Sequence, residues 1–405
     1  MRICFLVRSV PEHCLGGMEI NTLRLAQLLA ESGHQIVILT TSHPDGRTIS
    51  NHNKNPKIYY ISGCQPEENS VCWGRKYVSK LKELHCQEPF DLIHSHGSAA
   101  YHLMCDQQTY LQLHLPVVVT YHSTHFDWII SSIQADLSSY SLRGFIAFFK
   151  DTLKHIYQIF FMDRLMVRKL KAIIALDSVA VEKIRWQYSA HHQDIYIVPT
   201  CTDTHLFSPG QANPDLVEKY RLTNKQVLLF VARLETNKGP YIAINVLSKL
   251  LEQYSNAHLL IVGDGTERHR LMAFVENKGL KPHVTFTGSI DHHTINEYFN
   301  LASVMINPIL HPGGYPTTVI EAMACGLPVV TSCHGGVVDV IEHGVNGYLV
   351  DPKNIEHLNE IVLSLYNNNE LRRSIGLAAR SCIISKFSYD VLLEKTIQVY
   401  KSILS

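Results

Sequence analysis

"RICFLV" (Arg2–Val7), "EINTLRLAQLLAESG" (Glu19–Gly33) and "QIVILT" (Gln35–Thr40) follow one another at the start of the chain, and their order decides the fold. The outer two are short apolar runs of strand length. The middle one carries apolar residues at helical spacing and stops at a glycine. Strand, amphipathic helix and strand in so short a span is the βαβ rhythm of a parallel sheet covered on both faces.

The rhythm continues through "KIYYIS", "DLIHSH", "PVVVTYH", "AIIALD" and "IYIVPT". After Thr200 it pauses at "CTDTHLFSPGQANPD", a linker rich in Thr, Pro, Gly and Asn. A second series follows: "QVLLFVA", "AHLLIVG", "VTFTG", "VMINP", "PVVTS" and "GYLV". The pattern predicts an α/β protein of two Rossmann-like, doubly wound domains, residues 1–207 and 208–387, with a C-terminal helix over 388–405 offered back to the first domain. Ligands in such sheets bind at the carboxyl ends of the strands, and two such halves make the cleft between them the expected site.

Composition sets the outer limits. A chain of 405 residues, 46% hydrophobic and 18% charged, has the makings of two or three soluble domains. Lys+Arg and Asp+Glu balance at 36 each, so no global field draws the protein to nucleic acid. "MRICFLVRSV" has too short an apolar core for a signal peptide, and no window approaches the run of about 18 apolar residues that spans a bilayer. The ten cysteines form no CxxC pair, which fits reduced thiols in the cytoplasm.

One segment departs from the rhythm. Arg143 to Lys171 carries seven Lys/Arg against two Asp, with Phe145, Phe149, Leu153, Ile156 and Phe160 on one helical stripe and Lys150 and Lys154 opposite. A helix lying on an anionic membrane surface has this look, and so does a core-facing helix with a basic back. The core-facing reading is preferred for most of the apolar residues, because this region also has to cover a sheet face.

Several short motifs can carry chemistry. In "VARLETNKGPY" a strand ends at Ala232, Arg233 and Lys238 follow on the loop, and Gly239 precedes a helix. Two cations beside a helix N-terminus form an anion site, Arg gripping phosphate as a fork and Lys adding a point charge; a solvated pair on a loop is the plainer alternative. "LLIVGDGTERHRL" places Gly263 in a Gly-Asp-Gly turn, where backbone can approach a ligand closely or simply turn. "HPGGYPTTVIEAMACGLPVV" (His311–Val330) is a glycine loop entering a helix. A cap at Thr317 or Thr318 is expected, with free N–H groups for phosphate or sugar hydroxyls and Glu321 one turn in. Thr318 and Glu321 also stand at capping-box spacing. "CLGGMEI" sets Gly16 and Gly17 between the first strand and a helix, where a doubly wound fold admits phosphate or sugar. Among 24 histidines, "HSH" (His94, His96) and "HSTH" (His122, His125) invite a zinc reading, but no HExxH or matching carboxylates accompany them, and no metal site is assigned. His122, ending a strand, is the better candidate for a substrate hydrogen bond.

Taken in order, "GGMEINTLRLAQLLAESGHQIVILT", "DLIHSHG", "VVVTYHST", "IIALDS", "IVPTCTDTHLF", "VARLETNKG", "LLIVGDGTER", "VTFTGSI", "YPTTVIEAMACGLPVV" and "GGVVDVIEHGVNGYLVDP" resemble the retaining, nucleotide-sugar-dependent glycosyltransferases of family 4, with the GT-B fold, over nearly the whole chain. The resemblance implies a donor such as a UDP- or GDP-sugar and no cofactor or metal. The transferred group would be a hexosyl or N-acetylhexosaminyl unit, and the acceptor hydroxyl that of a saccharide, a lipid-linked glycan or a small molecule. A cytoplasmic enzyme of polysaccharide or glycolipid assembly, peripheral on the inner membrane face, fits this reading. By position, Arg233 and Lys238 would hold the diphosphate and Glu321 the ribose hydroxyls. Gly313, Gly314, Tyr315, Thr317, Thr318 and Val319 would line the diphosphate and sugar, with Gly263 also at the donor. Gly17 would shape the loop at the reacting centre, and His122 would contact the donor sugar.

Two positions depart from the family pattern. Eight residues before Glu321, where the family has its first Glu, stands Gly313, and "PTCTD" replaces the usual Pro-Asn-Gly-x-Asp. The missing carboxylate leaves a front-face substitution intact, since positioning and charge stabilisation serve it without a protein nucleophile. It also motivates a second reading, a nucleotide-sugar-binding partner without turnover. A sugar-nucleotide epimerase on the same scaffold is a third.

Overall fold

The computed structural model describes residues 1–13, 16–50, 55–62, 70–122, 124, 152–153, 155–310 and 317–405. The chain divides into two compact units, one made of Met1–Thr200 with Leu392–Ser405, the other of Cys201–Val391.

The first unit holds a seven-stranded sheet of β1 (Arg2–Leu6), β2 (Gln35–Thr40), β3 (Lys57–Tyr60), β4 (Leu92–His96), β5 (Val117–Tyr121), β6 (Ala172–Ala175) and β7 (Asp194–Ile197). Their spatial order is β3-β2-β1-β4-β5-β6-β7, and every pairing is parallel. β1 lies between β2 and β4, Ile3 facing Ile36 on one side and Leu92 on the other. The crossover from β1 to β2 is helix α1 (Gly17–Glu31), whose Thr22, Leu25, Ala26 and Leu29 are buried one turn apart. Each buried leucine of this stripe contributes about 1.5–3 kcal/mol, which is what turns a marginal helix into a fixed one.

The second unit repeats the plan with β8 (Gln226–Val231), β9 (Ala257–Val262), β10 (Val284–Gly288), β11 (Val304–Asn307), β12 (Val329–Ser332) and β13 (Tyr348–Val350). The order is β10-β9-β8-β11-β12-β13, again parallel throughout. All thirteen apolar runs read as strands from the sequence are strands, in two Rossmann-like sheets. In each sheet the order reverses beside the first strand of its series, between β1 and β4 and between β8 and β11. The loops after these strands are where such folds bind ligands.

The basic segment is corrected in part. Leu153, Ile156 and Phe160, assigned to the core stripe, are 51%, 40% and 49% exposed. The residues that pack inward are Ile159, Met162, Met166, Val167 and Leu170. This stretch is apolar on two sides, and the second stripe wins because Asp163 on it accepts a hydrogen bond from the Tyr121 hydroxyl of β5 at 3.2 Å. Phe145, Phe149, Lys150 and Lys154 lie outside the described residues.

Candidate active site

In the second unit, the residues singled out from sequence gather at one end of the sheet. β8 ends at Val231, and Arg233 follows with its side chain 76% exposed and its Nη1 2.9 Å from Glu235 Oε1. Lys238 ends a single 3-10 turn, and Gly239 then takes φ +74° to start the Pro240–Leu250 helix. Only glycine fits there: a Cβ on Gly239 would stand 2.1 Å from the carbonyl oxygen of Pro308. The same two loops are tied by Leu310 donating its N–H to the Asn237 carbonyl at 2.9 Å. Burial, and to a lesser degree the Arg233 guanidinium, holds the Lys238 ammonium below the usual lysine range. Such a cation gains most from an arriving anion.

Gly263 (φ +130°) closes β9 and donates its N–H to Gly288 O at 2.9 Å. A Cβ there would lie 2.0 Å from Ala232 O, and one on Gly265 would lie 2.5 Å from Leu234 O. The backbone that comes close at this turn is therefore the chain's own Ala232–Leu234. The Gly-Asp-Gly turn seats the loop that carries Arg233.

The Thr317–Ala324 helix follows β11. Thr317 and Thr318 lie inside its first turn rather than capping it, and Val319 is buried. Glu321 is neither solvent-facing nor folded back as a capping box. Its side chain is only 6% exposed, and Oε1 lies 2.9 Å from Nε2 of His292, a stronger partner than a helix-end N–H. Its other oxygen, Oε2, is buried with no hydrogen-bond partner among the described residues. The carboxylate raises the His292 pKa above the ordinary histidine value, against burial, which lowers it. Phe207 meets the His292 ring edge-on at 5.5 Å. Sequence reasoning missed His292, although its place just after "VTFTGSI", on a loop at a strand's carboxyl end, was a signal. Gly313, Gly314 and Tyr315 lie outside the described residues.

The first unit gathers a second set. Gly17 opens α1, and a Cβ there would meet nothing within 4 Å among the described residues. The tighter position is its neighbour: a Cβ on Gly16 would fall 2.3 Å from the Glu19 carboxylate, which in turn accepts from Ser9 Oγ at 2.6 Å, so a side chain there would have to displace Glu19. His122 directly follows β5, and its Nε2 lies 2.8 Å from Nδ1 of His96, which also lies 3.1 Å from the Thr22 hydroxyl of α1. His94, buried in β4, is bonded at both nitrogens, to Tyr400 Oη at 2.6 Å and Thr120 Oγ1 at 2.7 Å. Burial lowers all three histidines, His94 to about 3 and His122 to about 4, so they are neutral at physiological pH. Among the described residues no three His, Cys, Asp or Glu side chains converge as a metal site, and no helix is long and apolar enough to cross a membrane.

This arrangement can be set beside known proteins. The family model Glycosyltransferase Family 4 matches residues 15–206, and the model Glycosyl transferases group 1 matches residues 213–381. An uncharacterized glycosyltransferase of Methanocaldococcus jannaschii is 24% identical, over 99% of this chain and 98% of its own. Sucrose-phosphate synthase of Thermosynechococcus elongatus superposes with a TM-score of 0.76 at 21% identity, covering 99% of this chain and 98% of that one. HepE of Anabaena, solved in complex with UDP, does so with 0.75 at 19% identity, covering 99% and 100%. Two doubly wound parallel sheets, matched in turn by the two halves of one enzyme family, mean that this chain belongs to the group 1 glycosyltransferases of the GT-B fold.

Proposed function

We propose that this glycosyltransferase is a retaining enzyme that moves a hexosyl or N-acetylhexosaminyl group from a UDP- or GDP-sugar to a hydroxyl acceptor. One observation carries the reading. The carboxyl end of a single sheet holds a half-buried lysine with an exposed arginine on its loop and, on the helix after β11, a buried carboxylate with one oxygen that has no partner among the described residues. The cations suit a diphosphate and the carboxylate suits the ribose diol. Thr317, Thr318 and Val319, opening the same helix as Glu321, are assigned to the diphosphate and sugar, and Gly313, Gly314 and Tyr315 to the loop before them.

In the reaction, the bond from the anomeric carbon to the diphosphate oxygen breaks as the acceptor oxygen bonds to that carbon from the same face. The leaving phosphate oxygen takes the acceptor's proton. Arg233 and Lys238 stabilise the charge developing on the diphosphate, so the step calls for no metal. His122 is assigned to the donor sugar, and Gly17 to the loop at the reacting centre. Incubating the purified protein with a panel of nucleotide sugars, with and without saccharide, lipid-linked and small-molecule acceptors, tests this by mass spectrometry. Nucleotide release that needs both substrates is expected. Tight donor binding with no release across the panel would favour the non-catalytic partner, and a changed sugar nucleotide without acceptor would favour the epimerase.

The reading includes a cytoplasmic enzyme resting on the inner membrane face. Leu153, Ile156, Tyr157, Phe160, Phe161 and Leu165 are exposed together, with Arg164 over the Phe160 ring at 4.3 Å. Exposed aromatic and aliphatic side chains among cations are what an anionic lipid surface binds. Sedimentation with vesicles containing anionic lipid is expected to deplete the protein from the supernatant at low salt and less at high salt. Equal recovery with neutral and anionic vesicles would remove the membrane from the proposal.

A further inference from the structure

We infer that His96 donates its Nδ1–H to Nε2 of His122 and thereby holds His122 as the Nδ1–H tautomer, a hydrogen-bond donor toward an oxygen of the transferred sugar. The last clause rests on the transferase reading above; the proton's position does not.

The geometry is that of an in-plane bond. The two nitrogens are 2.8 Å apart, the ring planes differ by 18°, and the ring centroids are 5.1 Å apart. Rings stacked face to face would bring the centroids closer; here they lie edge to edge, with the lone pair of one nitrogen along the N–H of the other. Both rings are neutral, so one proton serves the contact, and it sits either on His96 Nδ1 or on His122 Nε2.

The other nitrogen of His96 decides between them. Nε2 is buried and has no partner among the described residues. It is walled by His94, stacked at 4.6 Å, and by Phe5 at 5.6 Å, neither of which is bonded to it. If His122 supplied the proton, His96 Nδ1 would be bare and its Nε2 would carry a buried N–H with no acceptor. If His96 supplies it, Nε2 is a bare lone pair. Orphaned buried N–H groups are rarer in folded proteins than underused acceptors, so the proton belongs on Nδ1. The Thr22 hydroxyl, 3.1 Å from that nitrogen, accepts a share of the same hydrogen. Among the described residues, His122 makes its one hydrogen bond through Nε2, which leaves its Nδ1–H to a ligand.

The sequence shows only two histidines alternating in "HSH" and a third after the next strand. β4 and β5 are neighbours, with His96 opposite Thr120, and this register carries His96 to the residue just past the end of β5. His96 is thus a positioning residue: it acts on the sugar only through the tautomer of His122.

The test is a long-range proton–nitrogen correlation spectrum of the full chain labelled with nitrogen-15 histidine, His122 being assigned by the signals lost in His122→Gln. The expected result is a protonated Nδ1 and a bare Nε2 on His122. In His96→Phe the pattern is expected to revert to the Nε2–H form that free imidazoles prefer. In His96→Asn, whose amide N–H takes the place of Nδ1–H, the wild-type pattern should persist. A protonated Nε2 on His122 in the wild type overturns the inference, as does an unchanged pattern in His96→Phe. The wild-type spectrum decides the matter even if His96→Phe does not fold. Separately, His96→Phe is expected to lower kcat/KM for the sugar nucleotide about tenfold, the worth of one hydrogen bond, with the affinity for free UDP unchanged. An Nδ1–H tautomer with unaltered turnover would keep the His96–His122 assignment and remove the sugar contact.

Discussion

Replacing Arg233 and Lys238 together by alanine is expected to lower turnover of the sugar nucleotide about a thousandfold or more while leaving the melting temperature nearly unchanged. A single preorganised donor to a developing charge is typically worth about a hundred- to a thousandfold, and here both cations assigned to the leaving diphosphate go. Stability depends little on either. The Arg233 side chain is 76% exposed, and its ion pair with Glu235 is of the surface kind, worth about 0–1 kcal/mol. Burial holds the Lys238 ammonium below the usual lysine range, so removing it also removes a desolvation penalty. Turnover under saturating donor and a thermal melt on the same preparation make the measurement. An intact rate in the double variant would sink the diphosphate assignment. Arg233→Lys alone separates charge from geometry, because a point charge cannot replace a fork that grips two oxygens.

Glu321→Gln is expected to raise the donor KM about ten- to a hundredfold with little change in kcat. The loss is one of binding shared by ground and transition states, which appears in KM. Its size follows from a charge-assisted hydrogen bond, worth about 1.5–3 kcal/mol. Titration calorimetry with UDP or GDP should show the same loss without any acceptor, and an undiminished affinity would move the ribose elsewhere. The substitution carries a second signature at His292. Its pKa is raised in the folded state, first by the hydrogen bond to Glu321. The stabilisation from this pair is therefore fully present below the ordinary histidine pKa and is lost as pH rises through the raised value. In Glu321→Gln that pH dependence should vanish, and the His292 titration followed by NMR should fall back toward an ordinary histidine.

Strands were the most legible part of the chain. Buried parallel strands are short, continuous apolar runs, and those between Arg2 and Val350 are bounded by glycine, proline or polar turns that leave little ambiguity. Residues that sit next to those strands in sequence, such as Arg233, Lys238 and His122, were legible for the same reason: a strand's end locates them. What escaped was pairing across the fold. His292 meets Glu321 from 29 residues away, and His96 meets His122 from 26; no local pattern records either contact. Propensity also misled where two answers were locally equal. Thr317 and Thr318 are good caps, yet the helix takes them in, and Arg143–Lys171 offers two apolar stripes between which only a partner on β5 could choose.

Tyr400 is fully buried in the first unit, its hydroxyl on His94 in the middle of that unit's sheet, although some 300 residues of chain separate the two. The sheet of the first unit is complete in sequence by residue 197, and its unit is not, because residues 392–405 belong to it. During synthesis, with domains folding as they emerge, the second unit has all of its residues before the first has its own. Until the helix carrying Tyr400 arrives, one buried nitrogen of His94 waits for its partner. A fragment ending at residue 200 would thus be a domain with a missing piece, the one that Leu392–Ser405 supply.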